Sequence, residues 1–257
     1  MVRTHPDKMT FLEHLEELRQ RLVRALIYLA GGFAVCWGFR EPIFHFLVAP
    51  MRRAGYKEAF IFTSPAEALM LYMKMAFFVG IFVALPFVLY EIWAFIAPGL
   101  YRHEKAWAIP FVGMGSVFFT MGALFGHYFL FPTTFRFLAG FGGPDMRFLP
   151  KIDEYWSFYS WFLLGLGLVF QIPVIIFVLA RIGLVTPRLL LRGWKFAILG
   201  AFIVSAFVTP TPDVVNQTAL AVPMIGLYLL GVLVAWLFGK KRRVEAPTST
   251  VSVEARS

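Results

Sequence analysis

One cysteine in 257 residues, Cys36, leaves no material for a disulfide framework, a CxxC redox pair or a cysteine-based metal site. The five histidines, at positions 5, 14, 45, 103 and 127, form no HExxH pattern, so a helical zinc hydrolase site is missing as well. Charge is also scarce, at 15% of residues against 59% hydrophobic, with a mean hydropathy of +0.71. A water-soluble domain of this length has too little interior to hide so much apolar side chain. No internal repeat betrays an inverted-repeat transporter. The solvent for most of this chain is therefore lipid, and Cys36, inside the first apolar run, reads as packing.

The charge that is present leans basic, with 24 Lys and Arg against 15 Asp and Glu, for a net +9. These cations lie between apolar runs and at the two ends, with no basic face interleaved with stacking aromatics. That distribution argues against nucleic acid as a partner and for orientation in a bilayer. The first apolar run begins near Leu22 after a long polar leader, and no small-residue cleavage pattern follows it. An uncleaved span is expected there.

A span needs about 20 apolar residues. Four runs qualify, at 22–39, 69–97, 106–131 and 156–180, and two more follow at 196–208 and 218–238. The fifth holds only 13 residues between Lys195 and Thr209-Pro210-Thr211-Pro212-Asp213. It reaches about 20 Å, short of a hydrocarbon core of about 30 Å. The expected fold is an all-α integral membrane protein of six transmembrane helices, the fifth and sixth short, in a membrane domain over 1–239. A basic, disordered tail over 240–257 is expected to follow. Pro86, Pro110, Pro173 and Pro223 fall inside spans and should kink them, giving a curved wall rather than a straight bundle.

Six spans place both termini on one side, and the positive charge chooses it. The leader, the second and fourth connections and the tail carry 16 Lys and Arg. The opposite connections carry 7, with Lys74 unassigned at a span edge. Both termini are therefore expected in the cytoplasm. Thr10-Phe11-Leu12-Glu13 reads as a capping box that opens an amphipathic helix with Phe11, Leu15, Leu18 and Leu22 on its apolar face. The first outer loop, 40–68, should hold a short surface helix around Ile43 to Val48 ended by Pro50. The second, 132–155, with Gly140, Gly142, Gly143 and Pro144, should be irregular.

Chemistry has few candidates. Ser116, in Gly113-Met114-Gly115-Ser116, lacks a base other than His127 in the spans, and its small neighbours fit close helix packing. What remains is a set of carboxylates and amides at one membrane edge and within the membrane. Glu17 lies one turn before the first span, and Glu104 lies in the tight connection 98–105. Taken singly, Glu17 pairs with Arg21 at i,i+4 and Glu104 with Lys105 or a headgroup. Gln171, in Val169-Phe170-Gln171-Ile172-Pro173, is open to two readings: an amide bonded to backbone freed by Pro173, or a group that holds a polar wall or thins the bilayer. It cannot relay protons. Asp213 and Gln217 either cap the last outer turn or offer polar partners to another helix, because a polar turn after so short a span sits deep.

Three stretches, in order and between the right spans, resemble the TatC family of the twin-arginine protein translocase: Phe11-Leu12-Glu13-His14-Leu15-Glu16-Glu17-Leu18-Arg19-Gln20-Arg21, then 93–105 from Trp93 to Lys105, then Thr209-Pro210-Thr211-Pro212-Asp213 with Gln217. The resemblance implies six helices in a cupped wall in the cytoplasmic (inner) membrane of a prokaryote. It implies no catalysis and no cofactor. The function implied is recognition of the paired-arginine signal peptides of folded precursors for export driven by the proton motive force, together with single-span TatA and TatB partners and other copies of the chain. Glu17 and Glu104 match the positions that read the arginine pair, with Arg19 and Phe95 on the same surface, and Gln217 is the expected contact of a TatA or TatB helix, beside Asp213. The rival, a secondary transporter or channel for a small solute, would need ionisable groups near mid-membrane, where His127 and Gln171 are the polar candidates.

Overall fold

The structure, a computed structural model, describes residues 11–56, 60–61, 63–96, 108–141, 151–209 and 213–239. Among these, ten α-helices account for nearly all the chain: α1 (Phe11–Gly38), α2 (Arg40–Arg53), α3 (Pro65–Ile96), α4 (Ala108–Phe125), α5 (Phe131–Ala139), α6 (Ile152–Val169), α7 (Ile172–Arg181), α8 (Pro187–Arg192), α9 (Trp194–Val208) and α10 (Val214–Phe238). A π-turn, Gly126–Leu130, joins α4 to α5.

Five stretches are long and apolar enough to cross a membrane: Leu12–Gly38, Pro65–Phe95, Ile109–Ala139, Ile152–Arg181 and Val214–Phe238. The 15-residue α9 is the shorter sixth, about 22 Å long. The shortness expected of the fifth span is thus present. The sixth is not short: α10 has 25 residues, because Asp213 caps it and adds a turn before Thr218. The Asp213 side chain accepts from the Asn216 backbone N–H at 2.7 Å and from its Nδ2 at 2.9 Å, satisfying first-turn donors that would otherwise be orphaned.

Proline acts differently at each site. Before Pro173 the chain breaks, with a turn at Phe170 and Gln171 between α6 and α7, since a ring without an N–H cannot continue the ladder but suits a helix start. The π-turn falls immediately before Pro132, where one extra residue per turn accommodates the missing donor. Pro110 lies in the first turn of α4, where no donor is needed. Pro86 and Pro223 remain inside continuous helices, and so does Pro50, which does not end the surface helix as expected: α2 runs on to Arg53. The third span likewise continues past Phe131 to Ala139, so helix replaces the first part of the loop expected to be irregular. Residues 142–150 lie outside the described residues.

The helices pack in sequence: α1 on α3, α3 on α4, α4 on α6, α7 on α10 and α10 on α9. In lipid there is no hydrophobic force between helices, so close backbone approach has to supply the attraction. Gly32 and Gly80 give it between α1 and α3. A Cβ on Gly32 would lie 2.5 Å from the Gly80 carbonyl oxygen, and one on Gly80 would lie 2.8 Å from the Phe33 nitrogen. A large buried cluster lies where α2 covers the first turns of α3 and α6 together with α5. There Phe78, Phe131, Trp156, Tyr159 and Phe162 bury one another, Tyr155 donates to the Leu47 carbonyl at 3.1 Å, and the Arg53 guanidinium lies over the Tyr128 ring. Cys36 is buried, as its place in the first apolar run implied.

Candidate functional site

At the opposite end of the wall, where α1 begins and α3 finishes, four charged side chains meet. Successive turns of α1 present Glu17, Arg21 and Arg24 on the face that packs against α3. The Arg21 guanidinium donates through Nε, at 3.0 Å, and through Nη2 to Glu17 Oε1. Its remaining arm, Nη1, donates to Glu91 Oε2 at 3.1 Å. The Arg24 Nη1 approaches the same Glu91 oxygen at 4.0 Å from a more exposed position. The Glu17–Arg21 pair expected from i,i+4 spacing is therefore present, extended by a carboxylate from a second helix.

Glu91 escaped the sequence reading because it lies inside the apolar run 69–97, five residues before the end of α3. Its side chain is 5% exposed, against 18% for Glu17 and 20% for Arg21. A lone carboxylate inside a span is costly and marks a site, and that was the signal available. Glu17 spends one oxygen on Arg21. Its other oxygen, Oε2, is buried without a hydrogen-bond partner among the described residues, and His14 Nδ1 lies 4.0 Å from it. The His14 ring in turn stacks on Phe95 of α3, with centroids 4.5 Å apart. Phe95 thus joins Glu17 through His14.

The other expected residues lie elsewhere. Arg19 is two residues from Glu17 on a helix and faces away, 76% exposed and 3.5 Å from Glu16, so it is not brought to the cluster. Glu104 lies outside the described residues. Gln171 sits at the break between α6 and α7 and donates through Nε2 to the Gly115 carbonyl of α4 at 2.9 Å. It reaches a neighbouring helix rather than the backbone freed by Pro173. Ser116 donates to the Val112 carbonyl one turn back at 2.8 Å, as a packing residue would. At the far end of the wall, Gln217 Nε2 donates to the Phe202 carbonyl at 3.0 Å, and the Ser205 hydroxyl donates to the Gln217 carbonyl at 2.6 Å. Asp213 caps α10 and Gln217 stitches it to α9. His127 is buried against Phe46 and bonded to the Tyr159 hydroxyl at 2.8 Å, within the aromatic core.

The profile of one protein family, the Sec-independent protein translocase protein (TatC), matches residues 13–223. The chain belongs to the TatC family. It is 41% identical over 241 residues to the Sec-independent protein translocase protein TatC of Koribacter versatilis, covering 91% of this chain and 88% of that one. To the TatC of Desulforapulum autotrophicum it is 40% identical over 237 residues, covering 92% and 87%. Its fold is similar to the crystal structure of the twin arginine translocase receptor TatC, with a TM-score of 0.73 at 33% identity over 88% of this chain and 99% of that one. For that receptor in DDM the TM-score is 0.75, with 89% and 100% covered. Membership in the TatC family makes this multi-pass membrane protein a core subunit of twin-arginine export. It also places the Glu17 cluster and the 93–105 stretch in a protein whose work is handling other proteins.

Proposed function

We propose that this chain binds the paired-arginine signal peptides of folded precursors at the end of the wall formed by the start of α1 and the end of α3. It does so in the cytoplasmic membrane with both termini cytoplasmic, and it recruits single-span TatA and TatB helices for transport driven by the proton motive force. The observation that carries the reading is the Glu17 carboxylate, paired with Arg21 through one oxygen while the second has no hydrogen-bond partner among the described residues. A guanidinium is planar and permanently charged and can donate two parallel hydrogen bonds to a carboxylate, whereas an ammonium is a point charge. A carboxylate with an unpaired oxygen of this kind prefers arginine. Glu104, in the loop that follows Phe95, supplies the second carboxylate, one for each arginine of the pair. The α9–α10 hairpin, with Gln217 at its outer end, is the docking place for the partner helix, and further copies of the chain assemble in the same complex.

The test is binding of a synthetic signal peptide to the purified full chain. Replacing both peptide arginines by lysine should abolish measurable binding. Glu17→Ala or Glu104→Ala should each cost about 1.5 to 3 kcal/mol, roughly ten- to a hundredfold in Kd, with the protein still folded. Equal binding of the lysine peptide, or unchanged binding in both variants, would remove the site.

A further inference from the structure

The Glu17 cluster contains its own arginine. Arg21 is bound to the carboxylate that the proposed function offers to a guanidinium from outside. With Glu17 and Arg21 alone the pair would be neutral, and an arriving arginine would find a carboxylate already satisfied. Glu91 changes that balance. It is the most buried of the charged side chains in the cluster, it comes from a different helix, and it takes the one arm of Arg21 that Glu17 does not hold. Two carboxylates then share one closely bound guanidinium, since Arg24 stands 4.0 Å off and is half exposed. Glu17, Arg21 and Glu91 together carry a net negative charge, which Arg24 meets only from its half-exposed position 4.0 Å from Glu91, and among the described residues the carboxylate oxygen left without a hydrogen bond is Glu17 Oε2.

Building on the signal-binding reading, we propose that Glu91 is a specificity-determining residue of this site. It acts as the counter-charge that holds Arg21 and leaves the buried Glu17 Oε2, unpaired among the described residues, to an incoming guanidinium. Glu91 acts through Arg21 and need not touch the peptide. The expectation is therefore asymmetric: removing Glu91 alone should harm binding, and removing Glu91 together with Arg21 should restore it. Without its counter-charge, Arg21 neutralises Glu17; without either, Glu17 stands free again.

The experiment measures the Kd of a fluorescent twin-arginine signal peptide on the purified full chain in detergent, with the Tm of each variant recorded. E91Q should weaken binding about tenfold. E91D, which keeps the charge on a side chain one methylene shorter, should stay within about threefold of the wild type, and R21Q/E91Q should return to that range. A merely structural role for Glu91 would not be rescued by a second substitution, so a double variant as weak as E91Q, or weaker, overturns the proposal. If E91Q does not accumulate, the double variant alone decides, because binding near wild type supports the counter-charge role and lost binding refutes it. E17Q is the separate control. If E17Q weakens binding and E91Q does not, Glu91 has no such role while the signal site stands. If E17Q binds as well as the wild type, Glu17 is not part of the signal site and this proposal falls with it, while the Glu104 variant decides whether the rest of the site reading stands.

Discussion

Polar side chains buried among the described residues are few, and several are tied to a particular partner, so their roles can be separated by substitution. Gln171 is the clearest case. Its amide reaches from the α6–α7 break to the Gly115 carbonyl on α4, and an interhelical hydrogen bond of this kind contributes about 0.6 to 1.7 kcal/mol in a membrane protein. Gln171→Leu should therefore lower the Tm of the purified protein by a few degrees while leaving signal-peptide affinity unchanged. A loss of affinity at unchanged Tm would show instead that the amide works on the signal. The site was legible in the sequence to the extent that its residues lay in polar segments: Glu17 and Phe95 could be found and do come together, through His14. Arg19 could not be excluded by sequence alone, because motif membership says nothing of which side of a helix a residue takes, and position 19 turns its side chain to Glu16. Glu91 was hidden by the opposite effect, one carboxylate averaged away in a long apolar run.

At the scale of elements, the boundaries differ from expectation for reasons that are local and backbone-based. Apolar runs gave the number and order of the spans, because that pattern follows from the bilayer itself. They did not give the helix ends, which depend on capping and on proline. Asp213 starts α10 four residues earlier than hydropathy does, and the π-turn before Pro132 carries the third span on to Ala139. The hairpin of α9 and α10 shows how a short span is held: the Ser205 hydroxyl on the Gln217 carbonyl, the Gln217 amide on the Phe202 carbonyl and the Asp213 cap. Two of these three bonds do not use the Gln217 side chain. Gln217→Leu should then leave the protein near normal abundance, while removing the polar group offered to a partner helix, where a lost interhelical hydrogen bond costs about 0.6 to 2 kcal/mol. Co-purification of the single-span partner should fall severalfold. Undiminished recovery at normal abundance would put the docking groove elsewhere, and a collapse in abundance would assign Gln217 to the hairpin alone.

For the whole molecule, the helices fix which loops share a side, and charge must choose which side is the cytoplasm. The start of α1, the end of α3, the start of α4, the end of α7, the short α8 and the end of α10 lie at one end of the wall, and α2 with the starts of α3, α6 and α10 at the other. The first set collects 16 of the 24 Lys and Arg and the second 7. Lys74, unassigned by sequence, pairs with Asp153 at the start of α6 and so belongs with the second set. Moving it there still leaves 16 against 8. If Lys and Arg are retained on the inner side during insertion, the expected orientation has both termini and the 97–107 connection in the cytoplasm and Asp213 outside. That orientation is also the one the proposed function requires, in which Glu17 and Glu91 would meet a signal before it crosses. Cysteine accessibility tests it, and the buried Cys36 is first replaced by alanine to give a clean background. A membrane-impermeant maleimide added outside intact cells should label Asp213→Cys and leave Glu104→Cys unlabelled until the membrane is opened. Asp213→Cys removes a helix cap worth about 1 kcal/mol, so its abundance is read alongside. Labelling at 104 from outside with protection at 213 would invert the protein in the membrane and turn the Glu17 cluster away from every newly made precursor.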